Sequence, residues 1–213
     1  MFRRSWAQRF VYAWFRVLSR LVGVVFFGLR CFGRHHMPRR GAVLVCSNHQ
    51  STLDPVLIGL TFDRRLNYLA RKSLFDFGPF RWLIVFLDAI PIDRAGAGIA
   101  GLKEALRRIR RGEMVLIFPE GTRSQDGAVG SLEAGFCALA RRAEVTLLPV
   151  GIDGAFDAWP RGAVTPRPSK IFVCVGQPID AQNIRQLNDT SLVAELGQRI
   201  RQCHAQAREG RLR

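Results

Sequence analysis

Between residues 42 and 175 the chain alternates short, branched apolar runs with segments of helical periodicity. The runs fall near 42–46, 66–70, 89–92, 114–118, 145–150 and 170–175. The helical patterns fall between them, near 55–62, 79–87, 98–110 and 131–142. Apolar runs of four to six residues are strand length, too short for free-standing helices. Strand and helix in alternation predict an α/β domain, a mixed, largely parallel sheet flanked by helices. A further amphipathic helix is predicted over about 189–207, carrying a basic tail. A chain of 213 residues is long enough for one such domain with additions. The expected divisions are residues 1–34, 35–188 and 189–213: a basic amphipathic segment, the α/β body and a basic C-terminal helix.

The net charge of +15 belongs to the two ends. Residues 1–40 hold nine arginines and no acidic residue, and residues 199–213 hold five arginines against Glu209, leaving +2 for the body between them. Such basicity suits nucleic acid or an anionic membrane. No zinc-finger spacing, helix-turn-helix or stacking-aromatic pattern accompanies it, and nucleic acid is set aside. The N-terminal arginines are interleaved with Phe2, Trp6, Phe10, Trp14 and Val17, the mixture of an interfacial helix. On a wheel, Arg9, Arg16 and Arg20 cluster within about 40°, and Trp6, Phe10, Trp14, Val17 and Leu21 form a separate stripe centred roughly 100° away. The uncharged run Leu21 to Leu29 is nine residues long, against the ~20 needed to span a bilayer. A helix lying on an anionic lipid surface is expected, and no small-residue cleavage site marks a signal peptide.

The chemistry concentrates where the first apolar run ends. Ser47-Asn48-His49-Gln50-Ser51-Thr52-Leu53-Asp54-Pro55 lies between a predicted strand and a predicted helix, with Asp54 expected at the N-cap and Pro55 at the first helical position. On one continuous helix His49 and Asp54 would diverge by roughly 140°. A curled loop can instead lay the carboxylate against one imidazole nitrogen and leave the other as a base. Cys46 stands close by, and a thiol nucleophile is weighed against a core residue at a strand end. The five cysteines at 31, 46, 137, 174 and 203 form no Cys-x-x-Cys pair and read as small apolar residues in a reducing compartment. His35-His36 reads as part of a solvated, turn-rich joint, with no cysteine or carboxylate near it in sequence to build a metal site.

The spacing from His49 to Asp54 resembles the His-x-x-x-x-Asp signature of the glycerolipid acyltransferases, the family that includes 1-acylglycerol-3-phosphate acyltransferase. Three further stretches resemble that family's blocks in order: Ala89-Ile90-Pro91-Ile92-Asp93-Arg94, Phe118-Pro119-Glu120-Gly121-Thr122-Arg123-Ser124, and Leu147-Leu148-Pro149-Val150-Gly151-Ile152. The third is the most specific.

The resemblance implies a glycerol-phosphate acyltransferase-like fold and transfer of a fatty acyl group from acyl-CoA or acyl carrier protein to the sn-2 hydroxyl of 1-acylglycerol-3-phosphate. It implies His49 as general base and Asp54 as its orienting partner, with direct attack and no acyl-enzyme. Arg94, Glu120, Gly121, Thr122 and Arg123 are implied at the acceptor's phosphate, where Glu120 either meets the glycerol or pairs with an arginine. Asn48 and the backbone N–H groups after His49 are candidates for oxyanion or positioning duty, and Pro149 for the acyl-donor side. No metal or organic cofactor is implied, and the expected location is the cytoplasmic face of the cell membrane. One departure bears on the acceptor: Ser131-Leu132-Glu133-Ala134-Gly135 lacks the lysine that family members often carry after the third block. A lyso-ornithine lipid, another lysophospholipid or glycerol 3-phosphate stay open as acceptors. A catalytically silent lipid-binding subunit would be expected to have lost His49 or Asp54. Both are present.

Overall fold

The computed structural model describes residues 6–71, 89–92 and 99–213. The helix expected near 79–87, the aromatic stretch from Leu74 to Leu87, and Asp93 and Arg94 lie outside the described residues. Seven described strands form one sheet: β1 (Arg30–Phe32), β2 (Val43–Ser47), β3 (Leu66–Arg71), β4 (Ala89–Ile92), β5 (Met114–Ile117), β6 (Thr146–Asp153) and β7 (Phe172–Val175). Their order is β1-β7-β6-β2-β5-β3-β4, and every pairing is parallel except β6 with β7. The mixed, largely parallel sheet is as expected. β1 was not anticipated: it has three residues, and it lies inside the segment assigned to the N-terminal extension.

The described α-helices are α1 (Trp6–Phe27), α2 (Asp54–Thr61), α3 (Ile99–Arg110), α4 (Gly135–Ala143), α5 (Ala155–Ala158), α6 (Ala181–Gln186) and α7 (Asp189–Leu212). Every residue of β2 and of β5 is buried, as a parallel sheet covered on both faces requires. Alternation along the strands sends successive side chains to opposite layers. Val43, Val45, Leu116, Leu148 and Val150 pack with Leu57, Ile58 and Phe62 of the α2 region, Ala155 and Ala158 of α5, and Phe27. Leu44, Cys46, Val115, Ile117 and Leu147 pack on the other face with Ala105 and Ile109 of α3, Phe136, Cys137, Leu139 and Ala140 of α4, Ile184, and Leu192, Leu196 and Ile200 of α7. Asn188 caps α7 by accepting from Ser191 N–H at 2.8 Å.

Two glycines shape this frame. Gly151 lies in the middle of β6, and a Cβ there would stand 2.2 Å from His204 N and 2.4 Å from Cys203 C, both backbone atoms of α7. The missing side chain therefore lets α7 lie directly on the strand. Gly121, at φ +67°, turns the chain just beyond β5 in a conformation that side chains resist.

Candidate active site

Three strands deliver the site. β2 runs into His49, β5 into Phe118 and Glu120, and β6 ends at Asp153, so the groups gather at carboxyl ends of parallel strands, where open α/β sheets bind ligands. The loop from His49 to Asp54 is curled, as the chemistry requires. His49 Nδ1 lies 2.7 Å from Asp54 Oδ2, and the same oxygen accepts the Gln50 N–H at 2.6 Å and the Ser51 N–H at 2.7 Å. Asp54 is fully buried and takes all three bonds on that one oxygen, which offsets the desolvation of its charge and fixes the imidazole plane. The His49 ring is stacked on Phe118, centroids 3.9 Å apart and planes 15° apart. With Nδ1 committed to the carboxylate, Nε2 is the nitrogen left to receive a proton.

Two expectations for this loop need correction. Leu53, not Asp54, is the cap residue of α2, and the Asp54 carboxylate turns back to the preceding amides instead of the following ones. An N-cap side chain accepts from the first turn of its helix; here the imidazole and the loop amides compete for that oxygen and win. The amides of Gln50 and Ser51 are thereby engaged with Asp54, so they do not serve as oxyanion donors. Asn48 is equally committed. Its amide donates to Ile152 O at 2.9 Å and its oxygen accepts from Ile152 N at 2.8 Å, pairing with β6 as another strand residue would. That pairing is the kind of contact positioning duty requires.

The third block folds against the first. Glu120 accepts the His49 N–H at 3.0 Å and the Gly130 N–H at 3.3 Å. Burial raises its carboxyl above the ordinary glutamate value, against the opposing pull of those two amides. In this structure Glu120 clamps the backbone of His49, a job not foreseen among its expected contacts with glycerol or arginine. The Ser124 N–H donates to His49 O at 2.7 Å, so both sides of the His49 peptide are held by this block. Arg123 Nη1 donates to Thr52 Oγ1 at 2.7 Å, which places the guanidinium beside the same loop. Gly121 and Thr122 are exposed at the turn. Among the predicted residues the structure thus brings together His49, Asp54, Glu120 and Arg123.

Residues 28–153 match the family model described as Acyltransferase. The chain belongs to the acyltransferase family. It is 31% identical to the 1-acyl-sn-glycerol-3-phosphate acyltransferase of Pseudomonas aeruginosa over 85% of this chain and 68% of that protein. With the enzyme of the same name from Bacillus subtilis it shares 23% identity over 82% of this chain and 85% of that one. The crystal structure of the 1-acyl-sn-glycerophosphate (LPA) acyltransferase PlsC from Thermotoga maritima superposes with a TM-score of 0.81 at 25% identity, covering 97% of this chain and 83% of that one.

Other candidates on this acyltransferase resolve into structural parts. Cys46 is fully buried, and burial pushes its thiol far above the ordinary value, which removes it as a nucleophile. His36 hydrogen-bonds through Nδ1 to Val175 O at 2.9 Å, tying the joint after β1 to the sheet. Pro149 lies mid-strand in β6, not at a strand end. Its carbonyl accepts the Gly176 N–H at 2.9 Å, and the Cys203 thiol of α7 lies 3.9 Å from the same oxygen. Gln50 is the residue that the sequence did not single out. It is buried, and its side chain reaches three other segments of the chain.

Proposed function

We propose that this acyltransferase moves a fatty acyl group from an acyl thioester, on coenzyme A or acyl carrier protein, to the sn-2 hydroxyl of 1-acylglycerol-3-phosphate, giving phosphatidate. The observation that carries the mechanism is the His49–Asp54 pair at 2.7 Å, locked in place by Glu120 and Phe118. The acceptor hydroxyl gives its proton to His49 Nε2 as its oxygen attacks the thioester carbonyl. Asp54 stabilises the imidazolium that forms. The tetrahedral intermediate then collapses, the carbon–sulfur bond breaks, and the departing thiolate takes the proton from His49. No covalent acyl-enzyme and no cofactor enter this scheme; the thioester is a substrate.

Gly121, Thr122 and Arg123 are proposed to hold the acceptor's phosphate, with Arg94 as a second cation. The turn at Gly121 is exposed and Arg123 stands beside the His49 loop, so a phosphate bound there would sit within a glycerol's reach of the base. α1 is proposed to rest on the cytoplasmic leaflet, from which the acceptor would enter. Its described side chains Val17, Leu21, Val22, Val24 and Val25 are exposed, and no described helix is long and apolar enough to cross a membrane.

The test is a competition assay read by mass spectrometry, with purified protein on anionic vesicles. Lysophosphatidate, lysophosphatidylcholine, a lyso-ornithine lipid and glycerol 3-phosphate are offered together, with acyl-CoA or acyl carrier protein as donor. Phosphatidate as the main product is expected. Acylation of a different acceptor would overturn the substrate while keeping the chemistry, and no transfer with either donor would overturn both.

A further inference from the structure

Gln50 follows the base directly, its own N–H binds Asp54, and its side chain is anchored at both ends. Oε1 accepts from Ala155 N at 3.1 Å and Phe156 N at 3.3 Å, while Nε2 donates to Gly127 O at 2.6 Å. Backbone donors on one side and a backbone acceptor on the other fix which way round the amide sits. Nε2 has a second proton, and 3.2 Å away lies His204 Nε2. His204 belongs to α7, beyond the residues 28–153 that match the family model. It is buried, and the same nitrogen lies 3.3 Å from Asp153 Oδ1. Asp153 in turn accepts from Arg211 Nε at 2.5 Å, and Arg211 Nη1 reaches Asp157 at 2.7 Å. Only because Gly151 has no Cβ can α7 come near enough for His204 to enter this chain of contacts.

We propose that His204 is a positioning residue for acyl transfer, acting through Gln50 to hold the His49–Asp54 loop in its reactive geometry. The inference rests on His49 being the base. The loop has two supports: in front, the Asp54 carboxylate and Glu120 hold its backbone; behind, the Gln50 side chain ties it to the 127 turn, to α5 and to α7. A loop held only in front keeps its shape but not its exact place, and a displacement of about 1 Å at a reacting group costs on the order of 10²-fold in rate. His204 supplies one of the rear contacts, so its removal costs a fraction of that. The C-terminal helix is therefore part of the machinery that aims the base.

The experiment is a double-mutant cycle on the full chain, measuring kcat and KM for lysophosphatidate and acyl-CoA on anionic vesicles, with thermal denaturation of each variant. His204→Ala should lower kcat by ~10-fold while leaving both KM values within about twofold, the form expected when alignment and not binding is lost. His204→Gln, whose amide oxygen can accept from Gln50, should recover kcat to within about threefold of wild type. Gln50→Met should cost more than His204→Ala, and adding His204→Ala to it should cost less than about twofold further. Additive losses in the double variant would overturn the proposal, as would an unchanged kcat in His204→Ala. A loss that follows thermal stability and is not rescued by His204→Gln would overturn it too. His49→Ala, run alongside, separates the two levels: if it keeps wild-type activity the base assignment fails, whatever the cycle gives.

Discussion

The two ends of this acyltransferase are both basic, both helical and both rich in apolar residues, yet the fold uses them in opposite ways. α7 turns its apolar face inward: Leu192, Leu196, Ile200, Cys203 and Ala207 are buried against β6 and β7. Two of its arginines are spent on partners, Arg199 on Glu195 at 2.7 Å and Arg211 on Asp153 and Asp157. α1 turns its apolar residues outward. Val17, Leu21 and Val25 recur four residues apart and are 67%, 59% and 77% exposed, while only Gly23 and Phe27 among its described side chains are buried. It is fastened by Arg20, which donates to the carbonyls of Leu60 at 2.7 Å and Phe62 at 3.0 Å at the end of α2. Composition alone did not separate these helices. What separates them is whether another element covers the apolar face, and an uncovered face of that size asks for a lipid or protein surface.

The largest way to break the contrast is at Gly151. Gly151→Ala places a methyl against the backbone of α7, which cannot rotate away as a side chain would. The variant should lose ~3 kcal/mol or more of stability, or fail to fold, in urea denaturation followed by circular dichroism. Wild-type stability would mean that α7 is not seated on β6.

Arg211→Ala should cost less, about 2 kcal/mol, because it removes an ion-pair partner of Asp153 without forcing any backbone to move. Burial alone would raise the Asp153 carboxyl, but the Arg211 guanidinium, through its charge and its hydrogen bond, offsets it, and the carboxyl lies below the usual aspartate value. A carboxyl depressed in the folded state stabilises fully above its unfolded pKa of about 3.9 and loses that contribution as pH falls through the folded value. The gap between Arg211→Ala and wild type should therefore be widest above pH ~4 and shrink below it. A gap independent of pH would assign the effect to packing of the arginine stem.

The smallest effect on stability should come from α1. Val17→Gln, Leu21→Gln and Val25→Gln together should leave unfolding within about 0.5 kcal/mol of wild type. The same triple variant should weaken sedimentation with anionic vesicles by ~10²-fold or more, from the apolar area withdrawn from lipid. Destabilisation with unchanged vesicle binding would reverse the roles of the two helices.

The sequence showed some parts of this molecule more plainly than others, for physical reasons. Strands buried on both faces leave continuous apolar runs, and β2 and β5 were located to within a residue or two. β1 and the four-residue α5 are too short to show a period, and α5 forms where Gly154 turns the chain at φ +90°. The His49–Asp54 pair was legible because a fixed spacing closes a loop. Gln50 and His204 were not, since 154 residues separate them and neither belongs to a local pattern. Glu120 was placed near the site, but its partner is a backbone amide, and backbone partners have no sequence signature.

The most direct test of the central claim is the single-turnover rate of acyl transfer by His49→Ala, at protein concentrations where vesicle binding equals that of wild type. Loss of the base predicts a fall of at least ~10²-fold with the fold and the vesicle binding intact. A variant that keeps more than half the wild-type rate would contradict the account, because the loop, the clamp at Glu120 and the support from α7 would then be arranged around a residue that does no chemistry.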